Sequence, residues 1–307
     1  MHIIELAEVY IPLIQDLQRR TNGISYSAHF LEPNLAAVPA SSTMGLMNTW
    51  RKIYVKGILE RCHIACITSL SRGERWLRGT VSALEEENLL VFSAALRGLL
   101  EAAADAHDVM SHIPSSLHKF FSYAYLVLSD SQDIDNIQVS VGSLEDLLIH
   151  YVYAQKQPKI GPILPLHNNK PNSDYISALQ KFGVPKLADL YAELCQLTHP
   201  AAPSISCFLD DGDRTSSLNF MRDKQLIDDI LIRYKQTIEL LVQYSFNPAL
   251  MGLSVLHRLM PDWHGPSDHV MSSVGNWTTV LVQLDGFIQS YQSGSMAPEQ
   301  LYSAVRG

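Results

Sequence analysis

What this chain lacks narrows its chemistry more than any motif it contains. Nowhere does it carry a phosphate-binding glycine loop, a Gly-x-Ser-x-Gly elbow, a His-Glu-x-x-His pair or two matched Cys-x-x-Cys clusters. P-loop hydrolysis, serine-hydrolase chemistry and zinc proteolysis are therefore not expected. No apolar run approaches the roughly twenty residues that span a bilayer. The stretch Met1 to Val9 has Glu5 and Glu8 where a signal peptide would be basic, so the reading is a cytoplasmic protein without membrane contact. Cysteine is scarce: Cys62, Cys66, Cys195 and Cys207 are the four among 307 residues, and in that compartment they should be reduced. The string Cys62-His63-Ile64-Ala65-Cys66 has no partner half elsewhere, so buried free thiols are expected there rather than metal. No metal site and no cofactor are expected.

Positive charge is also in the minority, with 23 Lys and Arg against 31 Asp and Glu for a net charge of -8. A generic nucleic-acid binder carries a basic excess, so any RNA contact requires a local basic patch set against this field.

What is present is helical periodicity. Apolar residues recur at three and four, which predicts an all-α fold, a multi-helix bundle. Helices are expected over Ile3 to Arg20, Met44 to Leu70, Glu74 to Glu87 and Leu89 to His112, the last ended by Pro114. Ser115 and Ser116 are positioned to cap a following helix. Further helices are expected near Leu144 to Gln155, from Asp174, after Pro185, over Asn219 to Tyr244 with Asn247-Pro248 ending it, through Leu256 and over Trp277 to Tyr291. Lys156 to Asn172 reads as an exposed excursion, and Pro298 to Val305 as a terminal cap or partner-binding tail. One small β-hairpin is expected near 204–218, its strands flanking Asp210-Asp211-Gly212-Asp213. That Asp-rich turn lacks the Glu a calcium loop needs. The organisation read from these breaks is an N-terminal helix and connection (1–42), a main helical domain containing the hairpin (43–245) and a C-terminal helical extension (246–307).

Two segments place reactive polar side chains at helical spacing inside apolar runs. Arg97, Glu101 and Asp105 lie four apart in Leu96-Arg97-Gly98-Leu99-Leu100-Glu101-Ala102-Ala103-Ala104-Asp105. Tyr191, Cys195 and His199 lie four apart before Pro200. Residues four apart share a helix face, so each segment presents one polar stripe. A buried arginine and carboxylate are tolerated only as a pair, which makes Arg97 and Glu101 partners. If the two stripes meet, Arg97 can bind phosphate, His199 can act as general acid or base, and Glu101 and Tyr191 can position them. The same groups equally suit an inert polar network. A third cluster, Arg72-Gly73-Glu74-Arg75-Trp76-Leu77-Arg78, spaces three arginines around a tryptophan. Arg72, Arg75, Trp76 and Arg78 could bind RNA or an acidic partner, or form a solvated face balanced by Glu85, Glu86 and Glu87.

The string Arg97-x-x-x-Glu101, followed by Tyr191-x-x-Leu194-x-x-x-x-His199-Pro200, resembles a group of uncharacterised bacterial all-helical domains, some linked to the HEPN superfamily of toxin and phage-defence ribonucleases and nucleotide-binding domains. The likeness covers about Ser42 to Ser217. It implies a bacterial defence or toxin-type protein, a metal-independent ribonuclease or an RNA or nucleotide binder, with a site that such domains often place at a homodimer's two-fold axis. One departure stands out: active HEPN ribonucleases carry Arg, four to six residues, then His within one helical segment. Arg97 to His107 is too long for that spacing, and Arg258 to His264 contains Pro261. The alternative is therefore a non-catalytic helical interaction or adaptor protein, recruiting a protein partner, whose polar pairs are structural.

Overall fold

The structure is a computed structural model that describes residues 3–26, 43–129, 141–154, 168–211, 215–267 and 277–296. The fold is all-α with one small hairpin. Its elements are α1 (Ile3–Thr21), α2 (Thr43–Glu85), α3 (Leu89–Leu128), α4 (Gly142–Tyr153), α5 (Asn172–Phe182), α6 (Leu187–Thr198) and α7 (Pro203–Ser206). The strands β1 (Leu209–Asp211) and β2 (Ser216–Leu218) follow, then α8 (Asp223–Arg233), α9 (Lys235–Leu259) and α10 (Trp277–Gln292). The parts of Lys156 to Asn172 before residue 168, the Gly212 to Arg214 turn and Pro298 to Val305 lie outside the described residues.

The chain divides into two compact units. The first comprises Met1–Asp16, Ser69–Asp108 and Lys170–Phe246; the second comprises Leu17–Thr68, Val109–Asn169 and Asn247–Gly307. In the first, Leu77, Phe92, Leu96, Leu99, Leu100, Leu190 and Leu194 are buried at the three-and-four spacing that the sequence displays. In the second, Ile58, Leu59, Ile113, Leu117, Phe120 and Phe121 are buried the same way. Cys62 and Cys66 are buried free thiols there.

Several breaks read from the sequence are absent. The expected stop near Arg72-Gly73 is instead the middle of α2, and Gly73 is a packing notch. A Cβ there would sit 2.8 Å from Phe246 Cε1, so the missing side chain admits the ring. Pro114 likewise lies inside α3. Met110, Ile113 and Leu117 on either side of it are buried, and their burial offsets the roughly 3 kcal/mol that an internal proline costs. Ser115 caps no new helix; its Oγ donates to the His112 carbonyl at 3.1 Å within the same one.

The expected helix from Asn219 to Tyr244 is broken at Tyr234, whose backbone leaves the helical region at φ -112° and ψ 20°. Two contacts hold that corner: the Tyr234 hydroxyl donates to Glu193 at 3.0 Å, and Arg233 forks onto the same carboxylate at 2.7 and 2.8 Å. The next helix, α9, then runs through Pro248 rather than stopping there. The hairpin is antiparallel, with Leu209 opposite Leu218, Asp210 opposite Ser217 and Asp211 opposite Ser216. Ser204 to Ser206, read as strand, forms the single turn α7, begun by Pro203 at its first position.

Candidate functional site

All the residues of the site belong to the first unit. The floor is the apolar side of α3, where Leu96, Leu99, Leu100, Ala103 and Ala104 are buried. That burial fixes the rotation of the helix and leaves Arg97 and Glu101 half-buried at the margin. Helix α6 buries Leu187, Leu190 and Leu194, which sets Tyr191 to one side. Its N-terminus is held by Gln180, whose Oε1 accepts from the Ala188 N–H at 2.9 Å.

The two polar stripes meet. Arg97 donates from Nε to Glu101 Oε1 at 3.0 Å. It also donates from Nη1 to Thr198 Oγ1 at 3.1 Å and to His199 Nε2 at 3.0 Å. Tyr191 donates its hydroxyl to the same Glu101 oxygen at 3.1 Å, and its ring lies 5.7 Å from the guanidinium carbon. The four residues chosen from sequence therefore form one contiguous network. Thr198 completes it and was not foreseen. Its own hydroxyl donates to the Leu194 carbonyl at 2.8 Å, which turns its lone pair toward Arg97.

His199 reaches Arg97 because the helix ends there. Pro200 disfavours a helical conformation for the residue before it, and His199 adopts φ -100° and ψ 162° while its N–H still bonds the Cys195 carbonyl. The imidazole is thereby swung off the helix axis into solvent. Arginine has only donors, so the contact requires His199 Nε2 to accept, which makes this the neutral Nδ1–H tautomer. Burial works against the charge on Arg97, but the hydrogen bond and charge of Glu101 prevail and raise its pKa further. Burial first, and the hydrogen bonds to Cys195 and Glu101 with it, raise the Tyr191 pKa against the opposing effect of Asn172, keeping its hydroxyl a donor. The site is open: the Arg97 and Glu101 side chains are 23% and 28% exposed, and His199 is exposed. Among the described residues, Arg97 Nη2 has no hydrogen-bond partner.

Asp105 continues the α3 stripe but bonds outside the network, to Arg72 of α2. One turn further, Asp108 holds Lys170 Nζ at 2.9 Å. Trp76 is 42% exposed and packs on Gly98, the residue after Arg97. Arg75 and Arg78 are exposed beside it, and Arg78 stands 3.7 Å from the buried Glu74. The structure thus places the Arg72, Arg75, Trp76 and Arg78 group along α2 against α3.

Another face of α6 borders a cleft of about 200 Å³ lined by Leu89, Glu193, Leu197, Cys207, Leu226 and Ile230 among others. None of the network's residues lines it. Arg258 and His264, which match the HEPN spacing by count, lie in the second unit. There Arg258 forks onto Asp285 at 2.7 and 3.0 Å, and His264 is exposed. Among the described residues no group of three or more His, Cys, Asp or Glu is arranged to hold a metal ion. No helix among them is long and apolar enough to cross a membrane.

Compared with protein-family models, curated proteins and solved structures, the chain matches none.

Proposed function

We propose that this is a HEPN-like bacterial defence or toxin-type protein of the cytoplasm that cleaves RNA without a metal at the Arg97, Glu101, Tyr191 and His199 network. One observation carries the reading: a guanidinium and an imidazole share a 3.0 Å contact at a site open to solvent. Glu101 and Tyr191 hold Arg97 from one side, and Nη2 is left to receive an anion.

The chemistry follows from what each group can donate or accept. A phosphate of the RNA backbone engages Nη2 and draws Nη1 away from His199. The Nε2 lone pair so released takes the proton of the adjacent 2′-hydroxyl. The 2′-oxygen then attacks phosphorus, and the bond to the 5′-oxygen breaks with its electron pair. Water protonates that leaving oxygen, and the His199 imidazolium returns its proton to solvent. Charge that develops on the phosphoryl oxygens is met by Arg97. The products are a 2′,3′-cyclic phosphate and a 5′-hydroxyl.

A second reading rests on an observation of its own. Arg97 finds three acceptors and Glu101 two donors within the protein, as a structural tie between α3 and α6 would require. The protein is then a helical adaptor. Incubation of labelled RNA with the protein in EDTA, followed by end-group analysis, separates the two. Cyclic-phosphate termini support cleavage by this route; intact RNA, or fragments bearing 3′-hydroxyls, contradicts it.

A further inference from the structure

We infer that Trp76 is a stacking platform for an unpaired nucleobase beside Arg97, so that the site takes single-stranded rather than duplex RNA. This deepens the proposed function and rests on it for the class of ligand.

The observation is how the indole lies. A Cβ built on Gly98 would stand 2.6 Å from Trp76 Cδ2, 2.7 Å from Cε2 and 2.7 Å from Cε3. Cδ2 and its two ring neighbours are nearly equidistant from that point, so the helix meets the ring on its face and not on its edge. One face of the indole is therefore covered by the α3 backbone. With that face covered, the 42% exposure of Trp76 is left to the opposite face and the edge of the ring. A large aromatic side chain held flat with one free face is what base stacking requires. Only glycine at position 98 permits the arrangement.

Placement relative to the network follows from helix geometry. At about 100° per residue, Gly98, Asp105, Glu101 and Arg97 fall in that order across one sector of α3 about 100° wide. The platform and the phosphate-binding guanidinium thus share a side of the helix, with the Arg72–Asp105 pair about two turns further along it. The surroundings suit a polyanion. Arg72, Arg75 and Arg78 are exposed on α2 around the ring. Asp105 and Glu74 offset Arg72 and Arg78, whereas Arg75 has no ion-pair partner among the described residues. Charge is thus concentrated where a backbone flanking a stacked base would run. A duplex keeps its bases stacked on one another and cannot offer one to this face.

The experiment is fluorescence anisotropy of a short labelled RNA in EDTA, with His199→Ala as the common background so that no strand is cut. Trp76→Ala and Trp76→Phe are compared on three probes: single-stranded RNA, the same strand with abasic sites, and its duplex. The expected result is a loss of about tenfold in single-strand affinity for Trp76→Ala, with Trp76→Phe retaining most of it. On the abasic strand the two variants and the background should bind alike, and the duplex should bind more weakly than the single strand. Circular dichroism confirms that each variant is folded, and the phenylalanine variant keeps the comparison valid if alanine perturbs α2. Equal single-strand binding by all three, an equal loss on the abasic strand, or no RNA binding at all would overturn the platform. Failure of cleavage is separate: RNA that is never cut but is bound in a Trp76-dependent way overturns the catalytic reading and leaves this one standing.

Discussion

Arg97 and Tyr191, far apart in sequence, donate to the same oxygen atom, Oε1 of Glu101, at 3.0 and 3.1 Å. One carboxylate therefore ties α3 to α6 and aims the guanidinium at His199. Glu101→Ala removes the acceptor of both donors. Because the pair is partly solvated, the loss should be about 1 kcal/mol, seen as a fall of a few degrees in the thermal midpoint. Glu101→Gln keeps an oxygen acceptor and should melt closer to the parent. A Glu101→Ala midpoint equal to the parent's would show that the shared oxygen contributes nothing.

Three glycines on helices make a graded test of packing. Gly252 lies in α9, where a Cβ would be 2.9 Å from both Cys66 Sγ and Ile113 Cγ2. Gly252→Ala should destabilise by about 1–3 kcal/mol, the ordinary range for overpacking a core. Gly286 in α10 has nothing within 4 Å of its Cβ position, so Gly286→Ala should stabilise by up to about 1 kcal/mol through helix propensity alone. Gly98→Ala sets the same propensity gain against displacement of the Trp76 ring, and should come out destabilising. Urea unfolding of the three variants reads the order directly.

His63 gives the fold a pH dependence of known sign. Its side chain is fully buried, Nδ1 meets the Tyr26 hydroxyl at 2.5 Å, and Nε2 has no hydrogen-bond partner among the described residues. Burial first, and the charge of His264 second, push its pKa from 6.5 down to about 4. The unfolded chain thus takes up a proton at a higher pH than the folded chain does. Between those two values the unfolded state holds more protons, so stability falls as pH drops through the window, by at most about 3 kcal/mol. His63→Gln should flatten that portion of the curve, and an unchanged slope from pH 7 to 4 would contradict the assignment.

Salt is the test of the basic group on α2. If RNA is held by phosphate contacts at Arg72, Arg75 and Arg97, its affinity must fall as salt rises, and each arginine removed should reduce the slope of log affinity against log salt by about one. Arg75→Gln is the cleanest probe, since Arg75 makes no ion pair among the described residues that the substitution would break. A slope unaffected by Arg75→Gln would place the backbone elsewhere.

The helical class and the identity of the network were legible in the chain because both rest on local spacing. Apolar residues at three and four give α1 and α6 nearly to the residue. Polar residues at four-residue intervals pick out Arg97 with Glu101, and Tyr191 with His199. What could not be read locally depends on contacts with distant segments. Gly73 looks like a break until Phe246 is seen to fill its notch, and Pro114 and Pro248 look like ends until the burial around them is known. Conversely Tyr234 carries no breaking signal, because the corner is made by Glu193 from another helix. Thr198 was overlooked for the same reason: a threonine in a last helical turn is unremarkable until an arginine from α3 arrives opposite it. The two compact units each draw on three separate stretches, a relationship that periodicity does not register.

The measurement that bears most directly on the central claim is cleavage of labelled mixed-sequence RNA by the purified protein, with Arg97→Ala and His199→Ala alongside and thermal melts recorded for all three. Cleavage by the parent, its loss in both variants, and a His199→Ala midpoint close to the parent's are expected, since that side chain is exposed. Absence of cleavage by the parent, with Arg97→Ala simply melting earlier, would contradict that claim and identify the network as a tie between α3 and α6.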